Sequence, residues 1–504
     1  MPVQIECAKQ PLVEINASCL VITCDESEFG EARAAGKINE IDAALGGEVR
    51  KLAEAEKFLG KKGQTLSLTT LGRLPSARVV LLGLGPKADL AVNDLRSAAG
   101  RAMKLANGFG GQSLAFVLPS ALASSSQAVA ATQAAAEGAL LGAYRFDKYL
   151  AEDKRTIPTV MAVTLVGAEA ASDLLNSALQ RAQNTARAIG QARDLVNEPA
   201  MAMTPSLLAA VAENLAKEAG LEVTVLGLPE CEKENMGLFL AVARGSVEPP
   251  RFIHLVHRPP NPVKRVVLVG KGVTFDSGGL SLKPNDGMLD MKVDMAGSAA
   301  VICAMAAIAA EKLPIEVHAL AACTENMPSG SAYRLGDVLR SKAGKTVEIN
   351  NTDAEGRLTL ADAITYGLAL KPDQIFDFAT LTGACVVALG PHIAGVMSNN
   401  KALADAWLDA AKEAGEEMWQ LPLPERLQDM LRSEVADMRN TGERWGGALT
   451  AGLFLKAFVG ETPWVHVDIA GPATSDKDSG HNIKGGTGFA VATILTYLRR
   501  LAVA

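Results

Sequence analysis

An α/β protein is what this sequence predicts: a smaller N-terminal α/β domain joined by a long helix to a larger C-terminal α/β/α domain with a mixed central sheet. Three observations lead there. The 504 residues are too many for one ordinary core. The composition is 48% hydrophobic and 21% charged with only 4% aromatic residues, and Gly, Ala, Val and Leu dominate, which suits helices packed closely on a buried sheet. Short apolar runs also alternate with longer helical patterns along the chain.

In the first domain, residues 1–168, the runs "CLVITC", "RVVLLGLG" and "SLAFVLP" read as buried strands, separated by the helical patterns "DLRSAAGRAMKLA" and "SSQAVAATQAAAEGALLGAYRF". After the polar "EDKRTIPTV", "TVMAVTLVG" reads as a last strand. The stretch "AEAASDLLNSALQRAQNTARAIGQARDLV" then predicts one long helix, ended by "NEP", with residues 169–194 as the linker. From 195 to 504 the strands recur as "LEVTVLGL", "RFIHLVH", "RVVLVGKGVTF", "IEVHALAAC" and "QIFDFAT", with helices between them. "MAGSAAVICAMAAIAA", residues 295–310, is shorter than the roughly 20 residues of a membrane span and reads as a buried core helix.

The net charge of -7 provides no general attraction for nucleic acid or an anionic membrane. The seven cysteines, Cys7, Cys19, Cys24, Cys231, Cys303, Cys323 and Cys385, are scattered without a C-x-x-C pair, as buried free thiols are. Glu6, Lys9 and Glu14 interrupt the N-terminal stretch "MPVQIECAKQPLVEINASCL", which therefore does not read as a secretory signal, and a cytoplasmic location is expected.

In the first domain, Gly83, Gly85 and Ala88 in "VVLLGLGPKA" approach the dinucleotide-binding fingerprint. The acidic residue expected about 20 positions later is missing, and Pro86 removes an amide where phosphate would sit, so a tight strand-to-helix turn is the better reading.

Chemistry becomes readable in "KGVTFDSGGLSLKPNDGMLDMKVDMAGSAA" and "NTDAEGRL". Lys271 sits in an apolar strand, where an isolated ammonium is costly, and a buried ion pair is its simplest explanation. Asp276 ends that strand, where open α/β sheets place ligands. Asp294 precedes the core helix, and capping would explain it alone. Asp353 and Glu355 crowd Arg357 just ahead of a helical pattern, and a solvated helix start would explain them alone. Four such acids in one pocket need cations. Lys271, Lys283 and Arg357 could serve, and so could a pair of divalent ions, for which an oxygen-rich, histidine-poor set is suited. Arg357 with the helix start after Gly356 makes an anion site for a carboxylate, phosphate or bicarbonate. His466 and Asp468, in the apolar "WVHVDIAG", read as hydrogen-bonded structural residues.

The segments "RDLVNEPAMAMTP", "VGKGVTFDSGGLSLKP", "MKVDMAGSAAV", "NTDAEGRL", "DFATLTGA" and "WVHVDIAGPA" resemble the leucyl aminopeptidase family, the cytosol aminopeptidases. They follow the family's order, and no matched position departs from its pattern. The resemblance implies two divalent ions per subunit, Mn2+ or Zn2+. Lys271, Asp276, Asp294 and Glu355 would bind one and Asp276, Asp353 and Glu355 the other, with Asp276 and Glu355 bridging. It also implies that Lys283 polarises the scissile carbonyl, that Arg357 holds a bicarbonate acting as general base, and that Met291, Asn351, Ala354, Thr380, Leu381 and Gly383 line the pocket for the first side chain. The activity implied is hydrolysis of the N-terminal peptide bond of peptides, preferring leucine-like and other apolar first residues, through a metal-bridging hydroxide in a homohexamer. The alternatives are an accessory DNA-binding role in recombination or transcription, as in some relatives, and phosphoester hydrolysis by similar carboxylates.

Overall fold

The structure, a computed structural model, describes residues 3–29, 37–124 and 126–503. Met1 and Pro2 of the N-terminal stretch, and Ser125 at the head of the second helical pattern, lie outside the described residues. The two-domain α/β expectation is borne out. The chain forms two compact units, Met1–Ala186 with Lys477–Ile483, and Arg187–Asp476 with Lys484–Ala504. The long helix runs Ser172–Asn197, and the division falls inside it, between Ala186 and Arg187, rather than at 168 and 194. Nothing in the composition announces the return of Lys477–Ile483 to the first unit.

The first unit holds a six-stranded sheet in the order β1-β6-β5-β2-β4-β3, with β1 Gln4–Ala8, β2 Cys19–Cys24, β3 Thr65–Thr69, β4 Arg78–Gly83, β5 Ser113–Val117 and β6 Ala162–Val166. All pairings are parallel except β3 with β4. "CLVITC" is a central parallel strand buried throughout, which is why it is apolar without alternation. The glycines at the end of β4 and just beyond it have a packing explanation. A Cβ on Gly83 would lie 2.3 Å from the Lys61 carbonyl oxygen, and Gly85 donates its N–H to the Gly60 carbonyl at 2.9 Å. The turn packs its backbone against the Gly60–Lys61 segment.

The second unit is built on an eight-stranded mixed sheet in the order β15-β14-β17-β13-β9-β10-β8-β7. Its strands are β7 Glu222–Leu226, β8 Arg251–His257, β9 Arg265–Asp276, β10 Glu316–Asn326, β13 Gln374–Ala379, β14 Ala394–Ser398, β15 Met418–Gln420 and β17 Trp464–Asp468. A small sheet of β11 Val338–Arg340, β12 Thr346–Glu348 and β16 Met438–Arg439 stands apart. The middle four strands of the large sheet, β17, β13, β9 and β10, are mutually parallel, so their carboxyl ends share one edge.

The helix Ala296–Ala310 packs on β9, β10 and β13, whereas Gly356–Ala369 packs on β9 and β10 beside the helices Gly237–Ala243 and Gly447–Val459. Asn285–Ala310 is long and apolar enough to cross a membrane by length and composition, yet its most apolar window is mostly buried inside the protein. The helix from Ala296 lies almost on the sheet backbone. A Cβ on Gly297 would sit 2.0 Å from the Phe378 carbonyl oxygen, and one on Gly270 of β9 would sit 2.5 Å from the Gly297 carbonyl oxygen. Two glycines face each other because nothing larger fits, and this contact fixes where Asp294 stands relative to β9.

Gly270→Val is therefore expected to cost about 1–3 kcal/mol of stability or to prevent folding, measured as the denaturant midpoint. Gly108→Ala, at a helical position with open space around it, should cause no loss.

Candidate metal centre

Five chain segments meet at the carboxyl edge of the central strands. Strand β9 supplies Lys271 and, at its last position, Asp276. The loop after it supplies Lys283, and the turn leading into the core helix supplies Asp294. Asp353, Glu355 and Arg357 come from the loop and first turn of Gly356–Ala369. Thr380 follows β13.

Lys271 and both of its carboxylate partners, Asp294 and Glu355, are buried. Lys271 Nζ lies 2.7 Å from Asp294 Oδ1 and 2.8 Å from Glu355 Oε1, and donates to the Thr380 carbonyl at 3.0 Å. Glycine at 356 makes this possible, because a Cβ there would come within 2.5 Å of Lys271 Cε. Lys283 Nζ bridges the second pair of acids, at 2.9 Å from Asp276 Oδ2 and 2.5 Å from Asp353 Oδ1. Thr380 Oγ1 donates to Asp294 Oδ1 at 2.8 Å, and Asp294 Oδ2 is buried without a hydrogen-bond partner.

The electrostatics follow from that crowding. Burial opposes charge on Lys271, but Asp294, Glu355 and Asp276 outweigh it and hold the ammonium above the ordinary lysine range. Burial also opposes charge on Lys283, and Asp276 and Asp353 overcome it. Burial raises Asp294 well above the usual carboxylate range, with Glu355 and Asp276 adding to Lys271's incomplete compensation. Burial and Glu355 raise Asp276, and burial raises Asp353. Arg357 is brought down to about 10 by burial, against the pull of Glu355 and Asp468. Its Nη1 donates to the Asn440 carbonyl at 2.8 Å, and its buried Nε has no partner.

These residues fit a divalent cation. Asp276, Asp353 and Glu355 each offer an oxygen, all within 4.8 Å of one another. Asp294 and Lys271 adjoin this group through Glu355, and the unpartnered Asp294 Oδ2 is a further hard donor. Lys271 is an ion-paired ammonium as it stands. To act as a ligand it must lose its proton, and a cation beside it supplies the reason to do so.

Beside the acids lies a cavity of about 350 Å³. Met291, Ala354, Thr380, Leu381 and Gly383 line it together with Lys271, Asp276, Lys283, Asp294, Asp353, Glu355 and Arg357. Asn351 does not; its Oδ1 instead accepts the Asp353 N–H at 2.8 Å. Sequence reasoning missed Val386 and Ala470 on the apolar wall. It also missed Asn440, whose Oδ1 accepts the Asn350 N–H at 3.0 Å and whose Nδ2 donates to the Asn351 carbonyl at 2.6 Å, holding the acidic loop from the end of β16. His466 and Asp468 are buried structural groups. His466 Nδ1 lies 2.6 Å from Asp377 Oδ1, and Asp468 accepts from Thr382 Oγ1 at 2.7 Å, so fixing the loop after β13.

The chain matches two family models, the catalytic domain of the cytosol aminopeptidase family over residues 190–495 and its N-terminal domain over 21–153. It is 44% identical over 498 residues to a probable cytosol aminopeptidase of a Geobacter species, covering 99% of this chain and 100% of that one. A probable cytosol aminopeptidase of Aquifex aeolicus is 44% identical over 458 residues, covering 90% and 91%. Among solved structures, a tomato leucine aminopeptidase mutant superposes with a TM-score of 0.91 at 34% identity, covering 99% of this chain and 97% of that one. The bottromycin maturation enzyme BotP in complex with Mn gives 0.84 at 35% identity, covering 96% and 100%.

Because burial keeps the Asp276, Asp294 and Asp353 carboxyls inclined to hold protons, and the facing carboxylates keep the proton on Lys271, binding of a divalent cation near pH 7 is expected to release protons and to weaken as pH falls. Calorimetry in two buffers of different ionisation enthalpy reads the release, and Lys271→Met should release about one proton fewer. Buffer-independent heats would contradict this.

Proposed function

The chain belongs to the cytosol aminopeptidase family and is a metal-dependent aminopeptidase, and from that premise we propose that it removes leucine-like and other apolar residues from the N-terminus of peptides, using two divalent ions per subunit. The observation that carries the proposal is the convergence of Asp276, Asp353 and Glu355 at the end of a cavity with one largely apolar wall. Mn2+ or Zn2+ ions bound there would supply Lewis acidity and bring the pKa of a shared water toward neutrality.

The remaining steps belong to the chain's own residues. Lys283 Nζ is held between Asp276 and Asp353, and its charge would stabilise the scissile carbonyl oxygen as that oxygen gains negative charge. Arg357, anchored through Nη1 with Nε unpartnered, would hold a bicarbonate, which would supply general-base chemistry to the attacking water. Met291, Ala354, Leu381, Val386 and Ala470 offer apolar contact to the first side chain, and Gly383 leaves open space at its Cβ position. A substrate without a free α-amine should not be cleaved.

We read the active form as a cytoplasmic homohexamer. Leu289, Val387, Trp419 and Trp445 are large apolar side chains exposed on the single chain, as an interface requires. Light scattering should give about six times the 52.6 kDa chain mass, and a monomer would contradict the reading.

Lys283→Ala is expected to lower kcat on a leucine anilide by about 10²–10³-fold with KM little changed. Unchanged kcat removes the electrophilic role. Assaying peptide and phosphoester substrates side by side separates the peptidase from a phosphoesterase.

A further inference from the structure

One fully buried amide adjoins the acidic cluster without belonging to it. Asn326 closes β10, and a register shift between Thr324 and Glu325 brings it directly opposite Asp276, the last residue of β9. Its Nδ2 donates to Asp276 Oδ1 at 2.8 Å and to the Thr352 carbonyl, immediately before Asp353, at 2.9 Å. Both partners are acceptors, which fixes the amide's orientation and leaves Oδ1 buried without a partner. Asp276 Oδ1 also accepts the Gly278 N–H at 2.8 Å. One oxygen of that carboxylate is thus committed to two donors, while Oδ2 remains to meet Lys283 Nζ.

We propose that Asn326 is a positioning residue for the metal centre: it holds Asp276 by one oxygen so that the other faces the cations, and ties that strand end to the loop carrying Asp353 and Glu355. The inference rests on the two-metal reading. A merely structural amide would serve the loop alone, and the loop has its own anchor, because Tyr333 Oη donates to the same Thr352 carbonyl at 2.7 Å without touching Asp276. Asn326→Asp keeps the shape and turns two donations into repulsions. Asn326→Ser retains a donor that is too short to span both partners.

Mn2+ titrated into the metal-free full chain by calorimetry, beside the melting temperature of each metal-free protein, tests this. Asn326→Asp should raise the Mn2+ dissociation constant about 10–100-fold, Asn326→Ser should fall between it and the parent, and Tyr333→Phe should lower the melting temperature while staying within about 3-fold of the parent in affinity. If Asn326→Asp does not fold, Asn326→Ser carries the test. Parental affinity in a folded Asn326 variant overturns the inference, and so does equal weakening by Tyr333→Phe. A parent chain that binds no Mn2+ removes the two-metal reading itself, and this inference with it.

Discussion

The second unit is organised around one costly burial, that of acidic side chains and two ammonium groups at the end of the apolar parallel strands in the middle of its mixed sheet. Moving a single ion out of water costs several kcal/mol even after relaxation. Lys271 with Asp294 and Glu355, and Lys283 with Asp276 and Asp353, offset that cost only while their geometry holds. Three carboxyls held above their usual pKa range are the residue of incomplete compensation, and they are also what gives a divalent ion a reason to enter.

The fold supplies the rigidity this requires. Charged side chains on β9 and acids ahead of two helices can converge only if the helices lie at a set height above the sheet, and the Gly270–Gly297 contact sets one of those heights through backbone against backbone. On the other face, Gly356 lets the helix start come down onto the Lys271 side chain. The small sheet that ends at Asn440 steadies the acidic loop from outside. The clustered acids and lysines are thus carried by strand ends and helix starts, with loops held by amides rather than left to find their own conformation.

Much of this was legible in the sequence because charged residues are conspicuous in apolar strands. Lys271 and Asp276 could be placed by the strand they interrupt and end, and Asp353, Glu355 and Arg357 by their crowding before a helical pattern. What was hidden works through groups of ordinary appearance. Nothing in the sequence singles out Asn326 or Asn440, and their importance depends on which chain ends lie across from them, which a register shift decides in the first case. Asn351, expected on the cavity wall, instead accepts from the backbone of Asp353. The domain division was hidden for a related reason, since it falls within an uninterrupted helix and a seven-residue return, Lys477–Ile483, carries no compositional mark.

The most direct test of the central claim is anomalous diffraction from crystals grown with Mn2+. Two peaks per chain are expected, one enclosed by Asp276, Asp353 and Glu355 and the other beside Asp294 and Lys271. No peak at these carboxylates, or Lys271 still paired with Asp294 and Glu355 in crystals saturated with the ion, would contradict it.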